Sequence, residues 1–306
     1  MGYSDRTVAR FDDVAYIDHL VRKGGPDPAD YPELCARLEL AYAARLAGEL
    51  SETDVAGIRE ALAPALCPET MQGFAYTKPH GYAGDFEIID RIYTRYEARQ
   101  PQLVKWDRFY HSQPAPRAVR NRKTYFHELL AAHTARKAPL RVLKIASGPG
   151  RSMYEFLNAN PDAKLHIDCV ELDGKAIDYA RRLNARHLDR IAFHQQNALK
   201  FRPVGLYDLV WAAGIFDYFS DRVFVSLAQR LLRALAPGAE LVIGNFSESN
   251  PSRPYMELVG EWKLHHRSRA NLKALALRAG ASADRVRISS EPEGVNLFLH
   301  VHAACG

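Results

Sequence analysis

The chain has 306 residues, 47% of them apolar and 25% charged, and its formal net charge is +5. This length and composition are typical of a globular protein with one large domain and an appended region. The lysines and arginines are scattered, whereas a nucleic-acid-binding protein usually has a basic stripe, so we expect no nucleic-acid partner. No apolar run reaches the roughly 18 residues that a membrane span requires.

The N-terminus lacks the apolar segment of a signal peptide, which predicts a cytoplasmic protein. The cysteines are far apart in the sequence and form no C-x-x-C pair: they are Cys35, Cys67, Cys169 and Cys305. We therefore expect neither a disulfide framework nor a metal site.

Residues 1–131 are predicted to form a helical region. Apolar residues recur at helical spacing over residues 31–49, and residues 51–66 predict a second helix whose N-cap is Ser51, with Asp54 three residues later. We expect this region to serve as a lid or a dimer surface, and residues 132–306 to form the main domain.

Residues 75–96 hold an unusual density of functional side chains. Prolines and glycines predict a loop over residues 78–84, and a helix is expected to resume at Phe86. The polar side chains either cap that helix or belong to a lid over a ligand: they are Lys78, His80, Tyr82 and Asp85.

Residues 112–130 begin at a proline-rich turn and continue as a predicted helix, followed by a linker at residues 132–139. Three arginines lie near the first turns of this helix: Arg117, Arg120 and Arg122. They form either a solvated basic face or a site for an anionic group, because the guanidinium fork matches a carboxylate.

Residues 140–150, LRVLKIASGPG, organise the main domain. An apolar run predicts a strand, residues 147–150 a tight glycine turn, and residues 151–158 a helix. This order places free backbone N–H groups and the positive end of a helix beside a cofactor. The second predicted strand, residues 165–172, contains Glu171 near its end, where a carboxylate can accept hydrogen bonds from a ribose.

From residue 139 onward strands and helices alternate, which predicts an α/β fold with a doubly wound, mostly parallel sheet. The last two strand-like runs, residues 284–290 and 296–303, are joined by the short segment EPEGV. Such a connection predicts a hairpin, and hence an antiparallel strand at one edge of the sheet.

The turn A-S-G-P-G-R departs from the dinucleotide fingerprint G-x-G-x-x-G, because no third glycine follows. It resembles the nucleotide-binding loop of class I S-adenosylmethionine-dependent methyltransferases. Further motifs follow in that family's order: HQQNAL at 194–199 after strand three, YDLVWAAGIFDYF at 207–219 as strand four, and LLRALAPGAELVIGNF at 231–246 as helix, turn and strand five. The resemblance implies a seven-stranded sheet and S-adenosylmethionine as the cofactor.

The resemblance also implies which residues hold the cofactor: Ala146, Ser147, Gly148, Gly150, Glu171, Leu172, Asn197, Ala198, Ala213, Gly214 and Phe216. Asn197 is expected near the adenine amine. Phe216 is expected near the sulfonium, because a cation is attracted to an aromatic face.

An acceptor pocket is expected to include part of residues 247–269. The predicted substrate-binding residues are Lys78, Arg117, Arg120, Trp211, Tyr218 and Tyr255. A base is needed only when the acceptor must lose a proton. The candidate catalytic residues are His80, Tyr82, Asp85, Asp217 and Glu257. The alternative for Trp211 is a core position, and for Asp217 a helix cap.

The stretches K-P-H-G-Y-A-G-D and N-P-S-R-P-Y-M-E resemble a bacterial methyltransferase subgroup described as making methyl esters of hydroxy fatty acids. Similar architecture occurs in secondary-metabolism enzymes that methylate a carbon of a prenyl diphosphate. Aromatic and cationic residues are both plentiful in these stretches, which favours a small amphipathic acceptor with an anionic head.

We expect C-methylation of a prenyl diphosphate such as geranyl diphosphate, with Mg²⁺ available to bind the diphosphate. One alternative is O-methylation of a hydroxy fatty acid or another small carboxyl or hydroxyl compound. Another is a non-catalytic module that senses the cofactor. A homodimer is expected only by analogy with similar helical extensions.

Overall fold

The computed structural model describes residues 4–304, with side chains described from residue 13 onward. Cys305 therefore lies outside the described residues, and the other three cysteines are free thiols. Within the described part of the chain, no helix is both long and apolar enough to cross a membrane.

The described residues form twelve α-helices: α1 (Ser4–Arg22), α2 (Tyr31–Leu46), α3 (Glu52–Ala61), α4 (Met71–Thr77), α5 (Phe86–Thr94), α6 (Pro101–Ser112), α7 (Pro114–Arg136), α8 (Arg151–Ala159), α9 (Gly174–Leu183), α10 (Asp221–Leu232), α11 (Arg253–Leu258) and α12 (Arg269–Arg278). They also form seven strands: β1 (Leu140–Ile145), β2 (Leu165–Glu171), β3 (Ile191–Gln195), β4 (Tyr207–Ala213), β5 (Leu235–Phe246), β6 (Val286–Ser290) and β7 (Asn296–His302).

The described chain divides into two compact units. The N-terminal unit comprises residues 4–117 and 251–263, and the sheet unit comprises residues 118–250 and 264–304. The domain boundary predicted after residue 131 stays a prediction. The linker predicted over residues 132–139 is wrong in part, because α7 continues to Arg136. A helix is disfavoured beyond that point because the residue before Pro139 avoids helical backbone.

The N-terminal unit is helical, and α2 buries one face of its surface: Leu34, Leu38, Ala41 and Tyr42. Ser51 caps α3 as predicted, since its hydroxyl accepts from the Asp54 N–H and the Asp54 carboxylate accepts from the Ser51 N–H. The buried Asp107 carboxylate accepts the N–H groups of Met71 at 2.6 Å and Ala98 at 2.7 Å. Burial raises the pKa of Asp107 to about 6.

The sheet unit is built on a seven-stranded sheet of order β3-β2-β1-β4-β5-β7-β6. Strands β1 to β5 run parallel, and β7 runs antiparallel to both β5 and β6. The predicted doubly wound sheet with a hairpin at one edge is confirmed. The antiparallel strand, β7, lies one position in from the edge because β6 takes the outermost place.

Two strand limits differ from the predicted ones. Strand β4 ends at Ala213 because Gly214 follows with φ of 112°, and Phe216–Tyr218 then form a 3₁₀ turn. Strand β5 begins at Leu235, so the strand occupies the part of residues 231–246 in which a turn was expected between helix and strand. Residues 207–219, predicted as one strand, are therefore a strand followed by the loop at its carboxyl end.

Helices cover both faces of this sheet. On one face, α10 and α12 pack on the strands through buried apolar side chains that include Phe224, Leu227, Leu272 and Leu275. On the other face, α7 and α8 pack on them through side chains that include Phe126, Leu130, Met153 and Phe156. Because both faces are covered, the central strands are nearly continuous apolar runs.

A group of histidines surrounds one buried carboxylate of β5. Glu240 lies 2.7 Å from His300 Nδ1 and 2.9 Å from His133 Nε2, with His302 at 3.4 Å and Arg287 at 4.0 Å. Burial by itself raises the pKa of Glu240, but the hydrogen bonds from His133 and His300 outweigh it and hold the pKa below its usual value. Burial lowers the pKa of His300.

Acidification from about pH 7 to about pH 2 is expected to lower the free energy of unfolding through this group. A carboxyl with a depressed folded pKa stabilises the fold above its unfolded pKa of about 4.3, and this contribution is lost as the pH falls. A histidine with a depressed folded pKa stabilises the fold above about pH 6.5 and loses that contribution below it, so both effects have the same sign. Denaturant midpoints across this range measure the loss.

Glu240→Gln should be less stable than the wild type near neutral pH and should lose the carboxyl's part of the pH dependence, which lies below about pH 4.3. The exposed Glu248→Gln serves as the control, since Glu248 lies outside the histidine group. An unchanged pH dependence in Glu240→Gln would contradict this account.

Candidate functional site

The change in strand order defines a crevice in the sheet unit. Strand β1 lies between β2 and β4, so successive connections leave it toward opposite sides of the sheet. Ligands of such sheets bind beyond the carboxyl ends of the strands at this point. The segments that leave β1, β2 and β4 there are residues 146–150, 172–173 and 214–218.

The segment after β1 passes repeatedly through left-handed backbone, with φ of 51° at Ala146, 60° at Gly148 and 74° at Gly150. A Cβ on Gly148 would meet no protein atom within 4 Å, so that position faces open space. A Cβ on Gly150 would lie 2.9 Å from the Cβ of Ala180 and 2.8 Å from Nδ2 of Asn184. The first glycine leaves room beside the loop, and the second lets the loop pack on α9.

These two glycines should respond differently to alanine. Gly150→Ala is expected to destabilise the fold by about 2–4 kcal/mol, since overpacking adds to a left-handed backbone penalty. Gly148→Ala should cost about 1 kcal/mol of stability, from the backbone alone, but lower nucleoside affinity by roughly tenfold or more because its methyl group enters the open space. Thermal unfolding and calorimetric titration separate the two effects. Equal losses of stability would contradict this assignment.

Glu171, the last residue of β2, joins two loops through its carboxylate. Its Oε2 accepts the Gly148 N–H at 2.9 Å, and its Oε1 accepts those of Leu172 at 2.9 Å and Asp173 at 3.2 Å. Among the described side chains it has no ion-pair partner. The neighbouring Leu172 side chain is 62% exposed. A carboxylate beside an exposed apolar side chain suits a sugar hydroxyl next to a flat apolar ring.

A lysine that the sequence analysis did not select holds the loop after β1. Lys144 lies within the apolar run of β1, and its Nζ donates to the Ser147 carbonyl at 2.9 Å. Burial lowers the pKa of Lys144 to about 8. Ser147 is itself buried, and its N–H donates to the Val170 carbonyl at 3.3 Å. The sequence signal for this role was a charged residue within the apolar run of β1.

Four predicted cofactor residues lie at or just after the carboxyl ends of β3 and β4: Asn197, Ala198, Ala213 and Gly214. Asn197 Oδ1 accepts the Leu199 N–H at 2.8 Å and so holds the turn after β3. Ala198 is half-buried and packs against the core. Ala213 and Gly214, at the end of β4, are also half-buried. These positions are accessible enough to contact a ligand.

Two predicted aromatic contacts lie in the core instead. Phe216 is 0% exposed and packs on Phe224 with ring centroids 4.6 Å apart, contrary to the prediction that it faces a sulfonium. Trp211 is also buried, 4.9 Å from the ring of Phe126, which is the alternative considered for it. Trp211 lies on β4 and Phe216 follows it, and β4 is covered by helices on both faces. Their rings are therefore buried against protein side chains and do not face a ligand.

Asp217 ties the 3₁₀ turn to β5. The carboxylate is buried, and its Oδ1 accepts the Phe246 N–H at 2.6 Å. Burial raises the pKa of Asp217 to about 6, against the opposing charges of Arg122 and Arg267. Its contact is that of an anchor for the backbone of β5, whereas the alternative considered in the sequence was a helix cap.

The predicted substrate-binding residues are divided between the two units. In the sheet unit, Tyr218 is exposed and Arg120 is half-buried. In the N-terminal unit, Arg117 donates to the Ser112 carbonyl at 2.6 Å, and Lys78 lies 3.6 Å from the Glu261 carboxylate. None of these contacts assigns a ligand.

Tyr255 belongs to the core of the N-terminal unit. It is buried, its hydroxyl donates to Oε1 of Gln72 at 2.6 Å, and its ring packs edge-on against Phe109. Burial raises its pKa well above the usual value. Tyr255 therefore has the contacts of a packing residue.

His80 forms a dyad with a glutamate that the sequence reading did not select. Its Nε2 lies 3.0 Å from the Glu87 carboxylate, which also accepts from Arg91 at 2.7 Å. Burial raises the pKa of Glu87, but its hydrogen bonds to His80 and Arg91 outweigh burial and leave the pKa lowered. The other ring nitrogen, Nδ1 of His80, is buried without a hydrogen-bond partner. A carboxylate that holds Nε2 protonated leaves Nδ1 as a proton acceptor.

The other candidate acids of this unit have structural partners. Asp85 caps α5, because its Oδ1 accepts the N–H groups of Glu87 and Ile88, each at 2.9 Å. The Glu257 carboxylate accepts from Nε of Arg253 at 2.7 Å. Tyr82 is an exposed loop residue. His80 is thus the candidate whose geometry leaves an unused proton acceptor.

Comparisons with known proteins agree with the fold. Residues 142–238 match the family model described as a methyltransferase domain. A trans-aconitate 2-methyltransferase of Methylobacterium nodulans is 30% identical over 168 residues, which cover 54% of this chain and 57% of that protein. The chain thus spans little more than half the length of this curated relative.

Two solved structures resemble the chain at low sequence identity. A possible exported protein of Bordetella parapertussis has a TM-score of 0.61 at 19% identity, over the whole of both chains. A candidate O-methyltransferase of Nostoc punctiforme PCC 73102 has a TM-score of 0.51 at 18% identity, over 78% of this chain and 69% of that one. At these identities the likeness shows the fold alone.

The sheet unit has a Rossmann-like fold, and residues 142–238 within it match the model of a methyltransferase domain. Among the side chains described, no group of three or more His, Cys, Asp or Glu residues could hold a metal ion.

Proposed function

We propose that this chain is an S-adenosylmethionine-dependent O-methyltransferase that acts on a small anionic molecule. The cofactor, when bound, supplies an electrophilic methyl group on its sulfonium. One observation carries the proposal: the Glu171 carboxylate and the open position at Gly148 lie together where β1 and β2 end, within residues that match a methyltransferase domain.

The residues around this point fit the cofactor. Glu171 would accept a hydrogen bond from a ribose hydroxyl with the lone pair, of about four, that its three backbone contacts leave free. Leu172 offers exposed apolar surface to the adenine, and Asn197 lies in the turn after β3, where its amide would meet the adenine amine. Lys144 holds the loop that carries Gly148. Each role concerns binding and orientation, which supply most of the acceleration in a displacement reaction.

The acceptor proposed is a hydroxy acid or another carboxylate. The curated relative is named for trans-aconitate, a small carboxylate, and this supports an anionic acceptor here. Methylation at a carboxylate oxygen needs positioning and a cation, whereas methylation at a hydroxyl also needs a base. The His80–Glu87 dyad would serve the second case.

C-methylation of a prenyl diphosphate is the second candidate, on weaker support. An alkene acceptor would develop a carbocation, which requires several aromatic faces near the reacting carbon. Four aromatic residues of the stretches considered for the acceptor pocket and the end of β4 are buried in packing contacts: Phe86, Trp211, Phe216 and Tyr255. This burial favours oxygen as the methylated atom, and with it an acceptor that needs no Mg²⁺.

Transfer of a labelled methyl group tests the proposal. The purified chain is incubated with labelled S-adenosylmethionine and with trans-aconitate, hydroxy fatty acids or prenyl diphosphates, each with and without Mg²⁺. Metal-independent label in a carboxylate or hydroxy acid is the expected result. Label only in a prenyl diphosphate would replace the proposal with C-methylation. Nucleoside binding without transfer to any acceptor would favour a cofactor-sensing module.

Cytoplasmic location, a place in secondary metabolism and a homodimer formed by the N-terminal helices stay part of the proposal. Light scattering of the purified chain measures the oligomeric state directly.

A further inference from the structure

One arginine is buried at the edge of the candidate site. Arg122 of α7 is 6% exposed, and its Nη1 and Nη2 lie 3.3 Å and 3.4 Å from the position that a Cβ on Gly214 would take. Gly214 directly follows β4, at the point where the strand order changes. The guanidinium therefore lies beside the carboxyl ends of the strands, and a side chain at position 214 would make a tight contact with it.

The charge of Arg122 is poorly matched by the described residues. Its hydrogen bond is a long one, from Nη1 to Oδ1 of Asn296 at 3.5 Å. No carboxylate of the described side chains lies within ion-pair distance of it. Asp217 acts on it only through space, and that carboxylate is already bonded to a backbone N–H. A buried cation with one long hydrogen bond and no ion pair is costly unless a ligand completes it.

A second buried cation lies nearby but is occupied. Lys144 interacts electrostatically with Arg122, and its Nζ donates to the Ser147 carbonyl. Of these two cations, Arg122 is the one with N–H donors left to offer a ligand. Its planar fork presents parallel N–H groups, which match the two oxygens of a carboxylate.

We propose that Arg122 binds a carboxylate of a ligand in this site. Two sources have the same chemistry: the amino-acid end of the cofactor and the acceptor acid. The inference rests on the proposed function and deepens it, since it names the residue that recognises the anionic group. The sequence left Arg117, Arg120 and Arg122 as either a solvated basic face or a site for an anionic group and did not distinguish among them.

Two nucleosides that differ in the amino-acid end provide the test. S-Adenosylhomocysteine carries the carboxylate, whereas 5′-methylthioadenosine lacks it. If the cofactor is the source, Arg122→Gln should weaken S-adenosylhomocysteine by about 10- to 100-fold in calorimetric titration and leave methylthioadenosine within about twofold. Arg122→Lys, which keeps the charge but loses the fork, should fall between. Arg136→Gln is the control, because Arg136 is an exposed cation of the same helix.

If the acceptor is the source, both nucleosides keep their affinity in Arg122→Gln and the KM of the acceptor rises by about tenfold or more. Equal weakening of both nucleosides would assign Arg122 a structural role and overturn the inference, as would unchanged affinities and KM. Thermal unfolding of each variant identifies a loss of fold. Failure of the wild-type chain to bind either nucleoside would instead overturn the proposed function.

Discussion

Replacing Glu171 by alanine should weaken S-adenosylhomocysteine binding on the order of 100-fold. A hydrogen bond to a charged group contributes about 1.5–3 kcal/mol, and the upper value corresponds to about 100-fold in affinity. The substitution also removes the acceptor of the Gly148 N–H, so the loop after β1 loses a contact that fixes it. Calorimetric titration measures the affinity, and Glu171→Gln, which keeps the shape but not the charge, should lose less.

Asp178→Ala is the matched control for this experiment. Asp178 is an exposed acid of α9, and its removal changes the net charge equally. Wild-type affinity in Glu171→Ala would remove the main support for the cofactor site, and the roles of Leu172 and Asn197 would fall with it. Equal losses in both variants would indicate that only net charge matters.

Much of the sheet unit was predictable because its signals are local. The apolar run of β1, the glycine turn and the helix after it appear in sequence order, and the strand order that follows from them places the crevice. The short connection before β7 likewise predicts its hairpin. The limits of α7 and β4 were less predictable. Their apolar sequence patterns do not end at the same residues as their backbone hydrogen bonds.

The candidate site was predicted less completely, because side-chain roles depend on contacts between distant segments. Asp85 and Asp217 look alike in the sequence, as acids beside aromatic residues, and both accept backbone N–H groups in the structure. Glu87 acquires its importance only when α5 holds it next to His80. Lys144 and Arg122 depend on burial, which the sequence indicates only weakly for a charged residue.

These assignments divide the charged residues by what their contacts leave free. Asp85, Asp217 and Lys144 use their polar groups on nearby backbone and so fix loops. Glu171 and Arg122 retain hydrogen-bonding capacity and lie where the strand order changes. The same criterion selects His80 in the N-terminal unit, since one of its ring nitrogens is bonded and the other is not.

His80→Ala should lower kcat by about 10²- to 10⁴-fold if the acceptor must lose a proton, which is the usual range for removal of a general base. Glu87→Gln should lower kcat less, because the imidazole remains while the carboxylate that orients it is lost. Steady-state rates measure both.

The exposed His19→Ala controls for loss of a histidine in the same unit. Binding of S-adenosylhomocysteine should stay unchanged in all three variants, because His80 is assigned to the acceptor. A wild-type kcat in His80→Ala would exclude the dyad as a base. Methyl transfer would then be to an acceptor that is already ionised, and a carboxylate oxygen would be favoured over a hydroxyl.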